Sequence, residues 1–76
     1  MTVEKIRLFY EVIDNLVKFI RLHSKAVCLH QADVADVLNK VGVQLFFNKN
    51  YPTAKAYFWV SHMLGNRQAY SNYLSV

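Results

Sequence analysis

Seventy-six residues with a net charge of +4 and 54% hydrophobic content make one domain, 1–76, small enough to bury only about 60–65% of the surface its unfolded chain exposes. Such a chain needs a dense apolar core, a disulfide, a metal or a partner, and its single cysteine, Cys28, excludes an internal disulfide. Glu4, Lys5, Arg7, Glu11, Asp14, Lys18 and Arg21 interrupt the N-terminal stretch, which excludes a signal peptide or membrane span there. A lone thiol, expected to be buried, suits a reducing compartment, so the chain reads as cytoplasmic.

The first helix is expected from about Val3 to His23. Thr2 is its N-cap candidate, and Glu4 places a carboxylate in the first turn, where the helix dipole favours it. Ile6, Phe9, Ile13, Leu16, Val17 and Ile20 recur at three- and four-residue steps on one face. Leu8, Val12, Phe19 and Leu22 extend the apolar surface onto a neighbouring stripe. That stripe either meets other helices of the same chain or forms a homodimer interface.

The stretch "HSKAVCLH" breaks the pattern, and a second helix is expected to begin near His30 or Gln31. Val34, Ala35, Leu38 and Val41 make its inward face. Asp33 and Asp36 lie early in it and Lys40 late, in accord with the dipole. Gly42 reads as the C′ residue of a Schellman cap followed by Val43, which predicts the helix end at that point. Gln44 to Pro52 then form a connector with a turn signal at Asn48-Lys49-Asn50. Thr53 is the expected N-cap of a third helix with Ala56, Val60 and Leu64 inward, Tyr57 or Met63 flanking, and Gly65-Asn66 at its end. The tail adds a short fourth helix through Ala69, Tyr70, Tyr73 and Leu74, or pairs with another chain.

The fold class is therefore all-α, a small domain of three to four helices with a helix-turn-helix-like core. The alternative is α+β with a β-hairpin at about 41–60, because "VGVQLFF" and "AYFWV" favour strands and "NKN" suits a turn between them. Pro52 and the run "TAKA" weigh towards the helix.

No constellation for catalysis stands out, and the chain reads as no enzyme. His23, Cys28 and His30 lack a usual zinc spacing and a fourth ligand. A Cys28/His30 pair has no third group to orient the base. Gly42 and Gly65 are isolated, so there is no phosphate-cradling loop and no cofactor motif. Charge is more telling: acids and bases balance up to Leu38, and after Asp36 no acid remains to oppose Lys40, Lys49, Lys55 and Arg67. A one-signed C-terminal half suits phosphate or an acidic protein as partner.

Leu38-Asn39-Lys40-Val41-Gly42-Val43, a loop aromatic at Tyr51 and a capped start at Thr53-Ala54-Lys55 together resemble the helix-turn-helix segment of the serine-recombinase C-terminal type. The resemblance covers about residues 30–64. The chain departs from that family in the loop, where Leu45, Phe46, Phe47 and Asn48 replace arginine and glycine. It departs again in the second helix, where Tyr57, Phe58 and Trp59 stand in place of arginines.

The resemblance implies double-stranded DNA as partner, with the second helix of the pair in the major groove. Thr53 and Lys55 then lie in its leading turn, with Trp59 and His62 further along its exposed side. Lys40, Lys49, Asn50 and Arg67 are the candidates for phosphate contact. Four basic residues bind weakly in a monomer, so this regulator is expected to act as a homodimer. The competing class is a helical adaptor, inhibitor or regulatory subunit that meets a protein partner through exposed Phe46, Phe47, Phe58 and Trp59.

Overall fold

A computed structural model describes residues 2–76 as α1 (Val3–Leu22), α2 (Ser24–Leu29), α3 (Gln31–Phe47), α4 (Tyr51–Met63) and α5 (Arg67–Ser75). No strand occurs among the described residues, so the all-α class holds and the hairpin at 41–60 does not. That segment is the end of one helix, a three-residue turn and most of the next. None of these helices is long and apolar enough to cross a membrane.

α1 begins as its sequence dictates. Thr2 accepts a hydrogen bond from the backbone N–H of Lys5 at 3.3 Å, and Glu4 sits in the first turn. His23 interrupts the helical backbone, packs its ring at a tilt against Phe19 with centroids 4.6 Å apart, and passes the chain to the six-residue α2. α2 has no helical period long enough to show in the sequence. It inserts Val27 into the core and leaves Cys28 outside, so the thiol expected to be buried is exposed.

The largest departure from expectation is at Gly42. α3 does not stop there but continues one and a half turns to Phe47. Gly42 is an interior helical residue, buried where α3 crosses α4, and a Cβ built on it would lie 2.6 Å from Cε1 of Phe58. Glycine in a helix interior costs about 1 kcal/mol relative to alanine. Here its missing side chain admits the Phe58 ring, which is only 2% exposed. The Schellman cap forms seven residues later. Lys49 takes the left-handed conformation with φ 62°, its N–H donates to Phe46 O at 3.0 Å, and the N–H of Asn50 donates to Leu45 O at 2.9 Å. A side chain in that conformation is strained relative to glycine. Lys49→Gly is therefore expected to raise stability by about 1 kcal/mol, read as a higher thermal midpoint; a lower midpoint would contradict this cap.

The start of α4 also differs from expectation. Asn50, not Thr53, occupies the N-cap position, and Pro52 lies inside the first turn. Proline is tolerated there because its missing N–H would have had no helical partner and its φ suits the helix. At the other end Gly65 (φ 106°) and Asn66 close α4 as expected. Gly65 N–H donates to His62 O at 2.9 Å, and Asn66 N–H to Ser61 O at 3.1 Å. Asn66 then caps the next helix, its Oδ1 accepting from Ala69 N–H at 2.9 Å. One residue thus ends α4 and starts α5, which makes the corner between them tight.

α4 is the central helix, with α1, α3 and α5 all packed on it. Its buried residues, Pro52, Ala54, Ala56, Phe58, Val60 and Ser61, run around the helix and not along one stripe. Ala54 and Ala56 are fully covered, as is Ala69 on α5, and Ala35 on α3 is nearly so. These small residues let neighbouring backbones approach. Ser61 Oγ donates to the carbonyl of Ala35, and Asn72 Nδ2 donates to Oδ1 of the buried Asn39 at 2.9 Å. The two bonds fix α3 against both α4 and α5 and satisfy polar groups that burial would otherwise penalise. α1 and α3 flank α4 without meeting: no Cα of one comes within 8 Å of a Cα of the other.

Candidate interaction surfaces

The residues singled out in the sequence fall into separate places. Lys55, Trp59 and His62, spaced four and three apart on α4, share one half-buried stripe beneath α5. Lys55 Nζ donates to the main-chain oxygen of Val76 at 3.4 Å and lies 4.6 Å from the ring centroid of Tyr73. The Trp59 ring is 5.0 Å from Tyr73 and 5.7 Å from His62, and His62 is 4.6 Å from Tyr70. Phe9 of α1 reaches Tyr73 at 6.5 Å and completes the group. These separations are those of aromatic pairs that attract each other, and the Lys55 ammonium gains a cation–π contact. The cluster joins α1, α4 and α5, and its rings are largely engaged with one another. Tyr70 and Tyr73 were recognised in sequence only as part of a tail helix. Their approach to α4 depends on the tight corner at Asn66.

The other basic candidates lie apart from it. Lys40 is exposed and pairs with Asp36 one turn earlier at 3.0 Å. Lys49 and Asn50 are exposed in the turn between α3 and α4, Thr53 is half-buried in the first turn of α4, and Arg67 is exposed at the start of α5. None of these shares a hydrogen bond, ion pair or ring contact with the aromatic cluster among the described residues. The turn of α4 that would lead into a groove is flanked by buried Pro52 and Ala54. The aromatic patch expected at Phe46, Phe47, Phe58 and Trp59 does not form as one surface: Phe58 is in the core under Gly42, and Trp59 belongs to the cluster with Tyr73.

A different apolar surface is present on α1 and α3. No residue of the 20-residue α1 is fully buried, because the helix packs chiefly on α4, with Phe9 alone reaching a ring of α5. Between α1 and α3 runs an open groove of about 320 Å³ floored by Tyr57, with Leu16, Phe19 and Ile20 on one wall and Val34, Val37 and Leu38 on the other. Phe19 is 56% exposed at its rim, Val37 is exposed on the opposite wall, and Leu22 is exposed one turn beyond Phe19. Leu8 is exposed and Val12 half-buried on the same stripe of α1 as Phe19 and Leu22. Several large apolar side chains thus line this surface, while the core holds Phe58, Val60 and Val27 among buried alanines.

No three His, Cys, Asp or Glu side chains are grouped to hold a metal among the described residues. Comparison with protein-family models, with curated proteins and with solved structures finds no match for this chain.

Proposed function

We propose that the chain is a helical protein-interaction module whose working surface is α1 with the adjoining edge of α3. The observation that carries this reading is the apolar face that α1 leaves uncovered. α1 spans twenty residues without burying one, while Phe19 and Leu22 stand 56% and 81% exposed beside an apolar groove. Contiguous apolar surface of this kind marks association sites. Protein partners are recognised by large apolar anchors in such grooves, with polar residues at the rim.

Recognition of double-stranded DNA by α4 draws on the one-signed charge of the C-terminal half. It would require α4, packed against three neighbours, to present Lys55 while that side chain contacts Tyr73 and Val76. The geometry favours the protein partner.

Cross-linking in cells followed by mapping of the linked residues tests this. Links from α1 and the first half of α3 to protein are expected, and Phe19→Asp combined with Leu22→Asp should abolish them while leaving helix content intact. The opposite pattern would transfer the function to DNA: duplex binding that falls steeply with salt, weakens on Lys49→Ala or Lys55→Ala, and ignores the α1 substitutions.

A further inference from the structure

Resting on that reading, we infer that the partner is a second copy of this chain, docked α1 against α1 in antiparallel sense, with Glu11 of each copy beside Lys18 of the other. α1 carries two apolar stripes at alternating three- and four-residue steps. Phe9, Ile13, Leu16 and Ile20 are half-buried on the side that meets α4. Leu8, Val12, Asn15, Phe19 and Leu22 follow steps of four, three, four and three along the next stripe. This is the spacing of a coiled-coil seam over two heptads. All of these but Val12 are exposed, so the seam is built and unpartnered within one copy.

Charge selects the occupant and its direction. Glu4, Glu11 and Lys18 fall seven apart at the position that flanks the seam on one side. The other flank holds Phe9 and Leu16, both half-buried, with Phe9 turned towards Tyr73 and Leu16 towards the α1–α3 groove. A parallel copy would set Glu4 and Glu11 against those apolar residues. An antiparallel copy sets like flank against like flank. With Leu8 opposite Phe19 and Val12 opposite Asn15, Glu11 stands beside Lys18 of the second copy, and the twofold axis repeats the pair. The two Asn15 carboxamides then occupy neighbouring layers at the centre of the seam, where a polar residue fixes register at some expense of affinity.

The area is of the right order. The chain exposes 5396 Å², whereas a compact monomer of 8.9 kDa is expected to expose about 4,800 Å², leaving roughly 600 Å² in excess. One partner's share of a standard interface is about 800 Å². The apolar walls of the α1–α3 groove continue the seam at its Phe19 end.

Sedimentation of the full chain across the micromolar to millimolar range tests the inference. A monomer–dimer equilibrium is expected. Glu11→Lys alone and Lys18→Glu alone each set like charges together twice and should weaken the dimer about tenfold. The double substitution should restore it, and so should an equimolar mixture of the two single variants, which can form a heterodimer with both ion pairs intact. Both positions are exposed, so the variants are expected to keep the wild-type circular dichroism. A chain that stays monomeric throughout would overturn this inference while leaving cross-links from α1 to another protein to stand for the interaction module. A dimer whose affinity ignores the charge reversals would overturn the antiparallel pairing.

Discussion

Gly42→Ala will destabilise the domain by about 1–3 kcal/mol, although the same change in an exposed helix interior would stabilise it by about 1 kcal/mol. The added methyl would sit 2.6 Å from Cε1 and 2.7 Å from Cδ1 of Phe58. That ring is 2% exposed and held between α3 and α4, so neither it nor the helix axis can yield without disturbing the neighbours. The decisive measurement is a cycle with Phe58→Leu. Phe58→Leu alone should be destabilising, because it leaves a void beside Gly42. In that background Gly42→Ala should become neutral or stabilising, since it partly fills the void and recovers helix propensity. The expected coupling is about 1–3 kcal/mol, and independence of the two sites within about 0.5 kcal/mol would refute the close approach. For a domain of this size each kcal/mol moves the thermal midpoint by about 4–8 °C, so the effects are readily measured.

The same pair explains what could be read from the sequence and what could not. Thr2, Gly65 and Asn66 act on their own neighbours within a turn, so the start of α1 and the end of α4 follow from local chemistry. Gly42 also carries a local signal, that of a cap. Its burial against Phe58, sixteen residues away in the chain, is what keeps the helix going, and no local pattern reports it. The turn at Asn48-Lys49-Asn50 was legible, but its role as the cap of α3 was not, because a lysine in the left-handed conformation is chemically unmarked. α2 is too short to show a period.

On the surface, the Lys55, Trp59 and His62 stripe was legible from helical spacing. Its engagement by Tyr70 and Tyr73 was not, because it depends on how α5 folds back. The second stripe of α1 was legible in its residues, and its exposure follows from a three-dimensional fact: α4 is enclosed while α1 packs chiefly on α4.

Ala56→Leu will cost about 3 kcal/mol or more, at or above the upper range for overpacking. This is a large part of the total stability, expected to be roughly 4–11 kcal/mol for 76 residues. Ala56 is fully covered, as are Ala54 on the same helix and Ala69 on α5, so the added atoms of leucine must displace close-packed neighbours. Leucine at Tyr57, which floors the open groove and is half-buried, should cost under about 1.5 kcal/mol because the groove can absorb the change in shape. Leu22→Ala, at 81% exposure, should alter the stability of the isolated chain by no more than about 0.5 kcal/mol.

Denaturant titration at low protein concentration gives the three values free of association. Their order bears directly on function. If Ala56 tolerates leucine, α4 is not the enclosed helix described, and its surface is available to an external partner such as DNA. If Ala56 is intolerant while Leu22 is silent, the sequence has placed its smallest residues where the fold needs closeness. Leu22 then lies where the isolated fold does not need it, so a charge placed there tests the association proposed for α1 without unfolding the monomer.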